Sequence, residues 1–167
     1  MIFVNIYAAR PWVVAILALA VVLIWGLLGR IVPRRVWKAV CGAAALLATV
    51  LVLWLTVWNR TPSEEHVFTW AAAYTNEFFR EMFMNVVLYV PFGLAACGLI
   101  GPWGVLAGFV LSVGVEVWQY ATGAGLAQGT DVLCNTLGAA VGMLPVWANR
   151  RLTRKRAEAH DRRGRKD

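Results

Sequence analysis

Long apolar runs alternate with short polar blocks along the whole chain. A bilayer-spanning helix needs roughly 20 predominantly apolar residues, with about 17 as the lower limit. Five stretches meet that length: about Val13–Gly29, Ala39–Trp58, Met82–Ile100, Trp103–Tyr120 and Val132–Ala148. The pattern therefore predicts an all-α fold, a polytopic transmembrane helical bundle of about five spanning helices. Trp12, Trp37, Trp54, Trp58, Trp103, Trp118 and Trp147 fall near the ends of these runs, where indole prefers the membrane–water boundary. The first run is expected to be a retained span rather than a cleaved signal, because only Arg10 precedes it and no small-x-small cleavage pattern follows before Arg34.

Between the second and third runs, Thr61-Pro62-Ser63-Glu64 has the form of a capping box with proline at the first helical position. Phe68, Trp70, Tyr74, Phe78 and Phe79 then alternate with polar residues up to Phe83. The expectation is an external interfacial helix from about Glu65 to Phe83.

Charge sets the expected orientation. Arg30, Arg34, Arg35 and Lys38 mark the first loop as cytoplasmic, and nine of the sixteen basic residues follow Asn149. Five crossings then put the N-terminus outside and the C-terminus in the cytoplasm. The expected division is a transmembrane domain over 1–149 and a basic cytoplasmic tail over 150–167, the tail meeting anionic lipid. Composition agrees: 60% of residues are hydrophobic and 15% charged, above the apolar share of soluble domains. The formal charge of +7 resides mainly in the tail, so a nucleic-acid partner is not expected. Cys41, Cys97 and Cys134 lie in apolar runs without metal-binding spacing and read as small buried hydrophobes. No metal or cofactor is called for.

Ionisable groups inside spans are costly and normally face the bundle interior. On the fourth span, Gly104, Gly108, Ser112, Glu116 and Gln119 share one helical face; on the fifth, Asp131, Asn135, Gly138 and Gly142 do. Each face carries small residues deep in the membrane and a polar patch at its outer end, so the two stripes are expected to pack together. Asn85 and Tyr89 add a polar turn to the third span, and Pro91 is expected to kink it. Arg60 follows the second span at the same level. Arg60, Asn85, Tyr89, Glu116, Gln119, Asp131 and Asn135 thus form a candidate ligand-binding pocket open to the outside. The alternative from the residues alone is structural: Glu116 pairs with Arg60 or Arg80, and the amides hold helices together at about 0.6 kcal/mol each.

The segments Asn85-Val-Val-Leu-Tyr-Val-Pro-Phe-Gly93, Glu116-Val-Trp-Gln119 and Asp131-Val-Leu-Cys-Asn135-Thr-Leu-Gly138 with Gly142 together resemble the VanZ-like family. That resemblance implies a bacterial cell-envelope protein of the plasma membrane, in a family whose founding member is associated with antibiotic resistance to the glycopeptide teicoplanin. It departs from the family pattern at Gly125 and Gln128, where an arginine and an acidic residue are usual. An anionic group bound by that arginine would here fall to Arg60 or Arg80. Three functions follow as candidates. The first is a binder of a lipid-linked cell-wall precursor, a glycopeptide or membrane lipid. The second is an intramembrane enzyme using Glu116 and Asp131 as acid and base. The third, a transporter, is disfavoured by the lack of an inverted repeat and of polar residues in the inner half of any span.

Overall fold

The computed structural model describes residues 11–58, 60–71 and 75–164. Five helices carry the fold: α1 (Pro11–Ile31), α2 (Arg34–Leu53), α3 (Asn76–Ile100), α4 (Trp103–Thr122) and α5 (Gly129–Gly164). A π-helical turn, Trp54–Trp58, prolongs α2. Four of these units are long and apolar enough to cross a membrane: Arg34–Trp58, Asn76–Ile100, Trp103–Thr122 and Gly129–Lys155. The first expected run lies within the 21 residues of α1. Large apolar side chains such as Leu23, Leu47, Val110, Val117, Leu133 and Leu144 are exposed around the bundle. A water-facing surface would not tolerate so much of it, whereas lipid does.

Local chemistry explains where the helices begin and end. Thr75 caps α3, its side-chain oxygen accepting from the Phe78 N–H at 3.2 Å, and Glu77 in the first turn favours the positive helix end. The helix runs uninterrupted through Pro91. Gly101 and Pro102 turn the chain directly into α4, and Gly123, in the left-handed region at φ 61°, ends that helix.

The expected interfacial helix from Glu65 to Phe83 is not formed as such. Residues 60–71 are irregular apart from the two-residue strand Phe68–Thr69, and the helix starts only at Asn76. Tyr74 lies outside the described residues. The backbone of this strap finds its partners in the α4–α5 connection rather than within itself. Strands β1 (Phe68–Thr69) and β2 (Ala127–Gln128) pair in parallel, Phe68 opposite Ala127. On either side, the Ala127 N–H donates to Val67 O at 3.2 Å and the Thr130 N–H to Trp70 O at 3.0 Å. The Ser63 hydroxyl donates to Gly123 O at 2.7 Å, and His66 Nδ1 bonds Tyr120 O at 2.7 Å. A capping box offers Thr61–Glu64 a helix start, but satisfying the backbone across the strap does so for two segments at once.

Packing corrects a second expectation. The fifth-span glycine stripe meets α3, not chiefly α4. A Cβ on Gly138 would overlap Val86 O, one on Gly142 would overlap Val90 O, and on the α3 side one on Gly93 would overlap Ala139 O. The α4 stripe divides between two neighbours, Gly104 against Ala96 and Cys97 of α3 and Gly108 against Ala139 of α5. Small residues thus let three backbones approach, with α3–α5 the principal seam.

At the end of the bundle opposite the strap, the two basic clusters meet. Arg30 Nε donates to Asn149 Oδ1 at 2.9 Å, Asn149 Nδ2 donates to Gly26 O at 2.9 Å, and Arg150 Nη2 reaches Cys97 O at 3.3 Å. Helix α5 continues past the expected boundary at 149 without a break, and Arg151 stacks 3.8 Å over the Trp147 ring. The last residues of the tail, 165–167, lie outside the described residues.

Candidate functional site

The strap and the α4–α5 connection lie at the N-terminal ends of α3 and α5 and the C-terminal end of α4, where the polar residues gather. Glu116 is 7% exposed, and its Oε2 accepts the Gln128 backbone N–H at 2.7 Å. The bond follows from the parallel strand pair, which brings β2 back over the last turns of α4. Asp131, in the first turn of α5, is half-buried beside Asn85, with Glu81 and Arg60 close enough to act on it electrostatically. Arg60 and Asp131 also act electrostatically on Glu116, as opposite charges. The structure therefore brings Arg60, Asn85, Glu116 and Asp131 together, and adds Glu81.

Arg60 is exposed, and its guanidinium lies against Gly125. A Cβ at Gly125 would overlap Arg60 Nη1, and the glycine's φ of 149° is itself one that side-chain-bearing residues rarely adopt. Position 125, where an arginine was the expected pattern, is thus backbone alone, and a guanidinium from the strap fills the space beside it.

One turn deeper the arrangement changes. Asn135, 4% exposed, donates from Nδ2 to Ser112 Oγ at 2.8 Å, while its Oδ1 has no hydrogen-bond partner. The Tyr89 hydroxyl, 1% exposed, lies beside Ser112 and within electrostatic reach of Glu116 and Asp131. Gln119 stands apart from the others, its Nε2 donating to Thr56 O in the π-helical turn at 3.3 Å. It binds the second span to the fourth.

Glu116, Gln119 and Asn135 are buried, Asn85 and Asp131 half-buried, and Arg60 exposed. Access from solvent is therefore on the Arg60 side. Two surface grooves lie elsewhere and are apolar: one beside Trp103, Leu106 and Phe109, the other between Val57, Val115 and Trp118. Sequence spacing placed Ser112 on the correct face but did not indicate its bond to Asn135. Glu81, Thr56 and the Gln128 N–H carried no signal, because their roles depend on how the strap folds back. Replacing Ser112 with alanine leaves the Asn135 amide without its partner. It is expected to cost about 1–3 kcal/mol, the cost of a buried polar group losing its bond, read as a lowered midpoint of thermal unfolding in detergent.

A chain of long apolar helices closed at one end by a polar cluster is a polytopic membrane protein. It belongs to the VanZ/LLP1 family, whose sequence profile matches residues 12–150. Among curated relatives, Protein VanZ of Enterococcus faecium is 34% identical over 85 residues, covering 48% of this chain and 53% of that protein. The chain thus spans about half the length of the curated relative it matches. No solved structure matches it.

Proposed function

We propose that this protein is a VanZ-type component of the bacterial cell envelope that binds a lipid-linked or cell-wall ligand at the outer polar cluster. Arg60 meets the ligand's anionic group, and Asn85, Tyr89 and Asn135 serve its polar part. Gln119, held by Thr56, shapes the wall instead. The observation that carries this reading is the exposed Arg60 guanidinium, seated against bare backbone at Gly125 and facing Glu116 and Asp131. The reading sets the protein in the plasma membrane with the strap outside and the C-terminus in the cytoplasm. It is supported by the meeting of both basic clusters at the opposite end.

Through its family the protein is tied to glycopeptide tolerance. The test is teicoplanin and vancomycin susceptibility in a deletion strain complemented with wild type or Arg60→Ala at equal membrane levels. Wild type is expected to raise teicoplanin tolerance and Arg60→Ala to lose the gain. Unchanged susceptibility with wild type refutes the resistance role, and a gain that survives in Arg60→Ala refutes the role of Arg60. In binding, removing one charge-assisted contact of about 1.5–3 kcal/mol corresponds to roughly a 10- to 150-fold weaker ligand.

A second reading is favoured by the mutual influence of Glu116 and Asp131: an intramembrane enzyme using them as acid and base on a lipid-linked substrate. Turnover by purified protein, abolished in Glu116→Gln while binding persists, distinguishes it from a binder.

A further inference from the structure

An anion alone does not account for the side chains around Arg60. Arg60 acts electrostatically on Glu116, which is buried, and on Asp131, which is half-buried, and Glu81 acts on Asp131 in turn. Withdrawing a carboxylate from water costs several kcal/mol unless a cation or donor replaces the water. The Gln128 N–H supplies one such donor to Glu116. Beneath the carboxylates, Asn135 Oδ1 is buried and without a hydrogen-bond partner among the described residues, and the buried Tyr89 hydroxyl beside Ser112 lies within electrostatic reach of Glu116 and Asp131. Buried acceptors are nearly always satisfied in a finished site, so Asn135 Oδ1 calls for a partner that donates hydrogen bonds. A metal ion is a poor fit: among the described residues no three His, Cys, Asp or Glu side chains are arranged to hold one.

Resting on the ligand-binding reading above, we infer that the ligand's head group carries a protonated primary amine, held by Glu116, Asp131 and Asn135, next to the phosphate or carboxylate that Arg60 takes. The two charges suit the two depths of the site. Arg60 is exposed at the mouth, and the acceptors lie inward of it. A primary ammonium offers three N–H donors to carboxylate, amide and phenol oxygens, whereas a quaternary ammonium offers none. The chemistry is a zwitterion, and two sources supply it: the phosphoethanolamine head group of a membrane lipid, or the amine and carboxylate of an amino acid or peptide terminus.

The experiment uses the purified full chain in detergent. Binding is measured for lysophosphatidylethanolamine, lysophosphatidylcholine and lysophosphatidylglycerol, with free D-alanine as competitor. The ethanolamine lipid is expected to bind about tenfold more tightly than the other two, a difference worth about 1.4 kcal/mol. Glu116→Gln and Asp131→Asn each keep the side-chain shape and should shrink that preference to about twofold or less, a difference of no more than about 0.4 kcal/mol. Asp131→Asn, at the half-buried carboxylate, serves if the buried Glu116→Gln fails to fold. Arg60→Ala should weaken all three lipids alike. Equal binding of the three lipids, or a preference that survives in both Glu116→Gln and Asp131→Asn, overturns the amine assignment. Arg60 dependence without amine preference leaves the anionic reading standing and this inference refuted. Amine preference without Arg60 dependence does the reverse. Competition by D-alanine assigns the zwitterion to an amino acid or peptide source; its absence, with the lipid preference intact, assigns it to the lipid.

Discussion

Replacing Gly138 with leucine is expected to abolish accumulation of folded protein in the membrane. Even the Cβ of the new side chain would overlap Val86 O, and Tyr89 Cβ lies only 3.0 Å from the same point. Both neighbours belong to α3, whose backbone cannot yield without disturbing the seam made by Gly93 and Gly142 one turn and more away. Overpacking a well-filled core costs about 1–3 kcal/mol, and a contact with main chain rather than a flexible side chain falls at or beyond the top of that range. The fitting control is Gly114→Leu, where a new Cβ meets nothing within 4 Å. Monodisperse protein recovered after detergent extraction should vanish for Gly138→Leu and persist for Gly114→Leu. Equal recovery of both would mean that α3 and α5 do not approach as described.

The second large effect belongs to Glu116. Its carboxylate accepts from the Gln128 N–H, a bond that ties α4 to the α4–α5 connection from beneath while the strap ties it from above. Glu116→Ala removes that acceptor and leaves a buried backbone donor, at a cost of about 1.5–3 kcal/mol for a bond to a charged group. Glu116→Gln retains an oxygen at the same place and should recover most of the loss. Thermal unfolding in detergent orders the three proteins wild type, Gln, Ala. Hydrogen exchange at Ala127 and Gln128 should quicken in the alanine variant. If Gln and Ala are equally unstable, charge rather than the bond is what the site requires.

The helices were legible in the sequence because length and hydropathy settle them: the second expected run, 39–58, falls within Arg34–Trp58, and the third and fourth begin or end at most six residues from the observed bounds. The strap was not. Its Thr-Pro-Ser-Glu start satisfies every local rule for a helix, yet its backbone partners lie some 60 residues downstream, beyond the reach of periodicity. The glycine stripes show the same division. Which face of α5 carries Gly138 and Gly142 follows from spacing, but whether α3 or α4 lies opposite is a property of the whole bundle. At the site, Glu116, Asp131 and Asn85 could be grouped because each lies at the outer end of a span. The relation between Arg60 and Gly125 could not, since one is a side chain on the strap and the other a stretch of bare backbone.

The parallel pairing of β1 with β2 also constrains how the protein comes into being. Residues 60–71 leave the ribosome well before Gly123, Ala127 and Gln128, and their bonds to that connection wait until α3 and α4 have been made. The closure entropy of so long a loop is recovered only when the final connection arrives. The cap, and with it the placement of Arg60, therefore cannot form before the α4–α5 connection has been made. A chain arrested before the α4–α5 connection can own its first helices but not its polar cluster.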